Sequence, residues 1–501
     1  MNALLNGLQQ DTNLTSTENG GITHKSTLSK DLDLFALGAS YRNRSDDDVK
    51  HLFSNAFNED RLLAMKNLFY IRDVRGGQGE RRFFREVLKW LASFKEGREI
   101  LIHNLHNIPF YGRWDDLYVL FDTPLKPNVI DYMREQLAED MQSEHPSLLA
   151  KWMKSENTSS AESRAYAKAT REALHWTPKQ YRRTLADLRK KIGIVESKMS
   201  YDLWHEINYA TVPSKAGLIY RKAFLRHDEE RYSKFIEDDN TTVKAAALYP
   251  YEIVEQALRS IATTGTERNS INKYWNSLPD YLNGSDFSAI CMVDTSGSMY
   301  GTPLNVAISL GMYFAERNKG PFKDHYISFS SRPQLVHVTG YDFVDKVNCI
   351  RKNCIVENTN IEAAFKMLLT TAVNHHVPAE DMPKNIIVIS DMEFDQGTND
   401  YHWSMGRRIY TWETNDLWTS EKIETTMENI AKDWKKLGYE LPNLIYWNVD
   451  ARQDNIPMIG GRVSYVSGFS PTIFDAIIRG KSGYDLMLDK LNSERYKNVV
   501  L

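Results

Sequence analysis

The chain has 501 residues, of which 42% are hydrophobic and 26% are charged, and its formal net charge is −4. This length exceeds what one hydrophobic core normally serves, so we expect two or three domains, and the composition is that of a globular protein. The small net charge argues against a protein that coats nucleic acid along its whole surface, but it allows a local basic patch.

The first part of the chain predicts a short tail followed by helices. Residues 1–30 are rich in Asn, Thr, Ser and Gly, which is typical of a flexible tail. Asp60 has the character of a helix cap, and apolar residues recur at helical spacing over 61–70. Many helices with short Pro and Gly breaks predict a HEAT-like helical array over 31–283, although no repeat period is visible. Further helices are predicted at 82–94, 129–142, 160–174, 178–192 and 250–263.

Basic residues are concentrated in this helical part. Segment 72–85 has five arginines around three glycines, and segment 171–200 has eight Lys or Arg against three acidic residues. Arginines interleaved with aromatic residues suit single-stranded nucleic acid, through phosphate pairing and base stacking. Alternatively, the same arginines form structural salt bridges, because a charge run is usually a paired or solvated face. The candidate RNA-binding residues are Arg72, Arg75, Arg81, Arg82, Arg113, Arg182 and Arg183.

The pattern changes at about residue 284, where strand-like and helical runs begin to alternate. Alternation of this kind predicts a parallel sheet covered by helices on both faces, which is a doubly wound, Rossmann-like α/β domain over 284–501. Binding sites in such sheets lie at the carboxyl ends of the strands. The predicted strands are 287–293, 325–329, 385–390, 444–449 and 463–466, and the predicted helices are 304–317, 361–373, 421–437 and 471–478.

Oxygen-bearing side chains follow two of these strands and precede one helix. Asp294, Ser296 and Ser298 share a tight loop, Thr359 precedes a helix, and Asp391 ends a strand. Hard divalent cations take oxygen ligands, so the set predicts a metal site, with Mg²⁺ favoured and Ca²⁺ or Mn²⁺ as alternatives. Two neutral hydroxyls and one carboxylate in the loop leave the ion under-neutralised, which favours an added acidic ligand from a partner.

Other interpretations of this loop remain open. Serine and aspartate also cap helices, so the loop alone fits a capped turn. Ser296 stands where a retropepsin-type protease needs glycine and where a haloacid-dehalogenase phosphatase needs a second aspartate, so we expect a non-enzymatic protein, with a metal-dependent hydrolase as the weaker alternative. Glu393 and Asp395 could tune the site, although solvated surface acids are the simpler interpretation.

The order Asp-x-Ser-x-Ser, then Thr, then Asp resembles the metal-ion-dependent adhesion site of von Willebrand factor A domains. The resemblance implies that Ser296, Ser298 and Thr359 bind the ion directly or nearly so. It implies that Asp294 and Asp391 act directly or through water. All five positions of the motif are present in this sequence.

A wider resemblance covers nearly the whole chain past residue 30. Segments 29–124, 181–254, 441–449 and 466–471 resemble the domain of unknown function 2828 family, in which a helical region precedes an A-like domain. The architecture is more distantly similar to Ro autoantigen (TROVE) proteins, whose ring of helical repeats binds misfolded or small structured RNA. This resemblance implies an RNA-binding or ribonucleoprotein scaffold; the alternative is an interaction module that captures an acidic residue of a partner protein without RNA.

Cysteine content and hydropathy bear on the compartment. Cys291, Cys349 and Cys354 are odd in number and fit no zinc-ligand spacing, which indicates reduced thiols. The first twenty residues lack the regions of a signal peptide, and no apolar run approaches roughly 18 residues. We therefore expect a cytoplasmic protein without a membrane partner.

Overall fold

The computed structural model describes residues 12–260, 265–282, 285–329, 332–353, 358–395, 403–404, 407–408, 425–460, 462–481 and 483–501. These residues form two units. The sheet unit consists of the described parts of Met1–Ser45, Tyr249–Ile261 and Asp280–Lys490. The helical unit consists of the described parts of Asp46–Leu248, Ala262–Pro279 and Leu491–Leu501.

Strands occur at both ends of the sequence, and most of them lie after residue 288. They are β1 (Leu14–Ser16), β2 (Ile22–His24), β3 (Ala289–Asp294), β4 (His325–Phe329), β5 (Gln334–His337), β6 (Asn385–Ser390), β7 (Trp403–Ser404), β8 (Arg407–Arg408), β9 (Asn443–Asn448) and β10 (Val463–Ser467).

Helices fill most of the chain before residue 277 and alternate with strands after it. They are α1 (Lys30–Leu37), α2 (Asp46–Glu59), α3 (Arg61–Arg72), α4 (Arg82–Ala92), α5 (Lys95–His103), α6 (Asn107–Tyr111), α7 (Lys126–Gln142), α8 (Leu149–Trp152), α9 (Ala161–Ala173), α10 (Pro178–Ile192), α11 (Val195–Ser200), α12 (Ser214–His227), α13 (Glu229–Glu237), α14 (Pro250–Arg259), α15 (Thr266–Asn276), α16 (Thr302–Arg317), α17 (Phe343–Asn353), α18 (Ile361–Asn374), α19 (Thr426–Lys436), α20 (Phe474–Ile477) and α21 (Gly483–Leu491).

The main sheet has six strands in the order β10-β9-β6-β3-β4-β5. Neighbouring strands are parallel except β4 and β5, which pair antiparallel at the edge. The predicted parallel sheet after residue 284 is therefore confirmed, and the antiparallel edge strand is an addition. After β3 the chain goes on to β4 on one side, whereas after β6 it goes on to β9 on the other. The carboxyl ends of β3 and β6 thus flank a topological switch point, where ligands bind in open α/β sheets.

Helices pack closely on the two central strands. Every residue of β3 and β6 is buried, which explains their continuous apolar runs. Helix α16 contacts β3, β4 and β6, and at Gly311 a β-carbon would overlap the side chain of Val293. The glycine therefore permits the close approach that holds the loop before α16 against the strand end.

The segment predicted as a flexible tail is ordered from residue 12 onwards. Strands β1 and β2 form an antiparallel hairpin, and His24 forms a β-bridge with Ile456 in the sheet unit. Helix α1 packs on β10 and β9. The polar side chains of residues 12–30 thus have hydrogen-bond partners far along the chain, where the sequence predicts a flexible tail.

The helical unit is built from amphipathic helices in mutual contact. Asp60 accepts a hydrogen bond from the Leu63 backbone N–H at 2.9 Å, so α3 begins where the sequence predicts it. The C-terminal residues also belong to this unit: the Tyr496 hydroxyl donates to the buried Asp73 carboxylate at 3.0 Å.

The unit boundaries differ from the predicted ones at 31–283 and 284–501. Helices α1 and α14 belong to the sheet unit, and residues 491–501 belong to the helical unit. A boundary taken from a change of pattern is continuous in sequence, whereas packing also recruits segments from either end of the chain. In the described residues, no helix has both the length and the apolar character needed to cross a membrane.

Candidate metal centre

The loop after β3 gathers three of the predicted ligands. The Ser296 backbone N–H donates to Asp294 Oδ1 at 2.9 Å, and the Ser296 and Ser298 hydroxyl oxygens lie 3.0 Å apart. Asp294 and Ser296 are buried, and Ser298 is half-buried. A short 3-10 turn at Gly297–Met299 produces this arrangement and points the oxygen atoms to one side of the loop.

The end of β6 brings the second carboxylate to the same edge. Residues Val293 and Ile389 are in parallel register, so Ser390 lies beside Asp294 and its hydroxyl donates to Asp294 Oδ2 at 2.5 Å. Asp391 follows, and its Oδ1 accepts the Glu393 backbone N–H at 3.1 Å. Met392, between them, has a φ of +65°, a left-handed conformation that the tight turn imposes on a non-glycine residue.

Thr359 is joined to this edge through the loop after β6. Its carbonyl oxygen accepts the Asp395 backbone N–H at 2.9 Å, and its hydroxyl oxygen lies 3.5 Å from Asn19 Nδ2. Among the described residues, no hydrogen bond joins Thr359 directly to Ser296 or Ser298. The five predicted positions therefore lie on three loops, of which two are directly hydrogen-bonded and the third is attached to the loop of Asp391.

Negative charge is concentrated at this edge. Burial and the charge of Asp391 raise the pKa of Asp294 above its ordinary value. Burial, with Asp391 and Glu18 nearby, raises the pKa of Glu393 to about 7. Burial alone would lower the pKa of Arg452, but the charges of Asp391, Glu18 and Glu393 outweigh burial and raise it.

The sequence interpretation missed several residues of the site. Glu393 is fully buried and accepts hydrogen bonds from the Glu18 backbone N–H at 2.7 Å and from Asn455 Nδ2 at 2.7 Å, so it is not a solvated surface acid. Arg452 donates to Asp391 Oδ2 at 3.1 Å and pairs with Glu18 at 2.6 Å. Arg452 follows the end of β9, as Asp391 follows the end of β6, so a polar residue shortly after each strand end is the signal that could have identified it.

The predicted RNA-binding arginines lie in the helical unit, and the first of them is unavailable. Arg72 is 2% exposed, and its guanidinium pairs with the buried Asp116 at 2.8 Å. Contact of Arg72 with RNA stays a prediction that this pairing disfavours, because leaving the pair would deprive a buried carboxylate of its counter-ion. Arg85 also pairs with Asp116, at 2.7 Å, so the arginines of this segment are in part structural.

The remaining candidate arginines differ in their contacts with carboxylates of the described residues. Arg82 pairs with Asp46, Arg182 lies 4.0 Å from Glu156, and Arg183 lies 3.8 Å from Asp187. All three are at least partly exposed, so these pairs are weak. Arg75 and Arg81 are exposed, and Arg113 is half-buried with its guanidinium 4.8 Å from the ring centre of Trp152.

Arg113 lies near two other guanidinium groups and two carboxylates. Burial and the charge of Arg72 lower the pKa of Arg113, and Arg81 acts in the same direction against the opposing effects of Asp115 and Asp116. The arrangement can hold an anion beside an aromatic ring.

Family models of known proteins divide the chain between residues 285 and 288, close to the change of pattern at about residue 284. The family described as domain of unknown function DUF2828 matches residues 17–123 and 130–285, and the domain of unknown function DUF7788 matches residues 288–497. An uncharacterized protein, L728, of Acanthamoeba polyphaga mimivirus is 26% identical over 515 aligned positions, which cover 94% of this chain and 85% of that protein.

A solved structure also aligns with most of the chain. It is the crystal structure of the Deinococcus radiodurans RO (RSR) protein, which is 12% identical, with 91% of this chain and all of that chain covered and a TM-score of 0.36. The DUF2828 match spans more than half of the sequence, including the hairpin segment from residue 17 and most of the helical unit. The chain therefore belongs to the DUF2828 family.

Proposed function

We propose that the protein is a non-enzymatic binding protein whose sheet unit is a von Willebrand A-type domain. In this proposal Asp294, Ser296, Ser298, Thr359 and Asp391 hold a divalent cation, most favourably Mg²⁺, which captures an acidic group of a partner. The observation that carries it is the meeting of the Asp294 loop and Asp391 at the carboxyl ends of β3 and β6, at the switch point of the sheet.

The donor set fits a hard cation. It offers two carboxylates and three hydroxyls, all oxygen, as Mg²⁺ and Mn²⁺ prefer. Within the described residues, no group of three or more His, Cys, Asp or Glu is arranged to hold a metal, which disfavours a zinc-type site. A cation here must therefore rely on serine and threonine oxygens beside Asp294 and Asp391.

Charge also favours a cation at this position. Asp391, Glu18 and Glu393 act together on the guanidinium of Arg452, and Asp294 lies within reach of the charge of Asp391. Buried carboxylates that exceed their counter-ions are costly, and a divalent ion offsets that excess. The bound ion would supply a positive centre for a ligand carboxylate.

The surrounding groups favour capture over hydrolysis. Glu393 is fully buried, and both of its carboxylate oxygens accept hydrogen bonds, from Glu18 and from Asn455, which hold the side chain in place. Asp294 is likewise held by Ser390 and Ser296.

The metal proposal is tested by Mn²⁺ binding to the full chain, followed by electron paramagnetic resonance. We expect one Mn²⁺ per chain and at least about tenfold weaker binding in S296A/S298A, since removing even outer-shell groups costs about tenfold or more. Thr371→Ala, at an exposed position of α18, is the matched control and should bind normally. Equal Mn²⁺ affinity in the double variant and the wild type would remove the proposal.

We propose RNA binding by the helical unit as a second function. The supporting observations are that the Arg113 guanidinium lies 4.8 Å from the ring centre of Trp152 and that Arg81 is near enough to Arg113 to lower its pKa, an arrangement that suits phosphate pairing and base stacking. Fluorescence anisotropy with a labelled oligouridine should show affinity that falls steeply with salt, and R81E/R113E should reduce the salt slope by about 1–2. Lys95→Glu is the control, and a flat salt response would refute this function.

A further inference from the structure

Four of the five candidate ligands are closed off from solvent, and Ser298 is half-buried. Thr359 is 1% exposed and Asp391 is 2% exposed, while Asp294 is fully buried. A carboxylate of a partner has to reach an ion held by these residues. The element that covers them must therefore move for the site to work as proposed.

The cover is the turn at residues 17–21, between β1 and β2, which we call the cap. The Thr17 hydroxyl donates to the Phe394 carbonyl at 2.5 Å, and Asn19 Nδ2 donates to the Glu393 carbonyl at 2.6 Å. A β-carbon at Gly21 would lie 2.7 Å from the Phe394 carbonyl oxygen, so the backbone of the cap lies directly on the loop after Asp391.

The cap also places a carboxylate next to the site. Glu18 pairs with Arg452 Nη1 at 2.6 Å, while Arg452 Nη2 donates to Asp391 Oδ2 at 3.1 Å. One guanidinium thus bridges the cap carboxylate and a candidate metal ligand. Glu18 is 38% exposed and Arg452 is 32% exposed, so this pair is the solvent-facing part of an otherwise buried cluster.

The hairpin that carries the cap is attached to the sheet unit at both of its ends, by different kinds of contact. At the base, His24 and Ile456 exchange backbone hydrogen bonds of 3.0 and 2.9 Å, and Asn13 Nδ2 donates to the Ser26 carbonyl at 2.7 Å. The hairpin itself has three-residue strands in a sheet of two, which is marginally stable without other packing. The cap is held by side-chain hydrogen bonds and by one partly exposed ion pair, which a competing ligand can replace while the other end of the hairpin stays attached.

We propose that the cap is a displaceable internal ligand of the site. Glu18, held by Arg452 beside Asp391, lies where the carboxylate of an acidic partner segment approaches the ion when it binds. This inference rests on the proposed ligand-binding function, and it adds that the partner presents a glutamate or aspartate in an exposed turn and competes with residues 17–21.

Hydrogen–deuterium exchange of the full chain in EDTA tests the cap without any metal. The informative amides are those of Glu18, which donates to Glu393 Oε2, and of Gly21, which donates to Thr17 Oγ1. In the wild type they should exchange at least about a hundredfold faster than amides of β6, because local opening needs less free energy than global unfolding.

Variants then identify what holds the tip. E18Q should speed exchange of these amides by about twofold to fivefold, as expected for an exposed ion pair, and T17A/E18Q by about tenfold or more. Glu440→Gln, an exposed residue of the same unit, should leave exchange unchanged. Exchange as slow as in β6, or no change in T17A/E18Q, would overturn displaceability and would leave the Mn²⁺ test of the metal site unaffected.

Competition tests the role of the carboxylate. A fluorescein-labelled peptide with the sequence of residues 12–24 is titrated into the full-length wild type and T17A/E18Q in millimolar MgCl₂. It should bind the double variant at least about fivefold more tightly than the wild type, because the internal ligand no longer occupies the site. A matched peptide with glutamine at the position of Glu18 should bind more weakly. Equal binding of the two peptides, or no binding of either, would overturn the assignment of Glu18.

Discussion

Replacement of Asp294 by asparagine should change stability in opposite directions with and without metal. In the metal-free protein Asp294 is a buried carboxylate that lies close to the second carboxylate of Asp391. The substitution keeps the shape and removes one of two like charges. With Mg²⁺ bound, the same substitution removes a ligand and much of the charge that attracts the ion.

The size of the effect follows from the strand geometry. Adjacent strands are about 4.8 Å apart, so with Asp391 one residue beyond Ser390 we take a carboxylate separation of roughly 6 Å. At an effective dielectric constant of about 20, that repulsion is about 3 kcal/mol. In D294N the hydrogen bonds from Ser296 and Ser390 are weaker, which offsets about 1 kcal/mol of the relieved repulsion. D294N should therefore stabilise the metal-free protein by about 2 kcal/mol.

Differential scanning fluorimetry in EDTA and in MgCl₂ measures both signs. In EDTA the Tm of D294N should exceed that of the wild type by about 4–8 °C. Mg²⁺ at a hundred times its Kd should stabilise the wild type by about 2.7 kcal/mol and leave D294N unchanged. Asp381→Asn, at an exposed position, should behave as the wild type. A Tm of D294N below that of the wild type in EDTA, or a wild-type Tm that does not change when Mg²⁺ is added, would refute the reasoning.

Two further predictions concern buried and half-buried ion pairs. Arg452→Gln should tighten Mn²⁺ binding by about threefold to tenfold in a calorimetric titration, because it removes a cation that competes for Asp391, whereas a weaker affinity would mean that Arg452 supports the site. Asp116→Ala should lower the free energy of unfolding of the helical unit by about 3–5 kcal/mol in urea denaturation, because it leaves the buried Arg72 without its carboxylate. A loss below about 1 kcal/mol would show that Arg72 finds another partner or water.

Local sequence was sufficient where short-range chemistry sets the structure. The apolar runs of β3 and β6 and the polar residues that follow each of them predict buried strands with oxygen ligands at their carboxyl ends, and the structure has the strands there. The helix N-cap residue Asp60 likewise predicts the start of α3. Its side chain accepts the backbone N–H three residues further on, which needs no tertiary partner.

Long-range packing decided what each isolated charge does. Arg72 has the sequence environment of a ligand-binding arginine, but Asp116, 44 residues away, makes it structural. Glu393 has the sequence environment of a surface acid, but Glu18 and Asn455 bury and satisfy it.

The sequence by itself determined the two kinds of architecture and predicted the oxygen-rich loop after β3, because periodicity and turn chemistry act over a few residues. Only the tertiary structure decided that the N-terminal hairpin covers the end of the sheet and that Arg452 bridges Glu18 and Asp391. The physical reason is that the burial and pairing of a charged group depend on which distant segments pack against it. Residue spacing along the chain does not specify those long-range contacts.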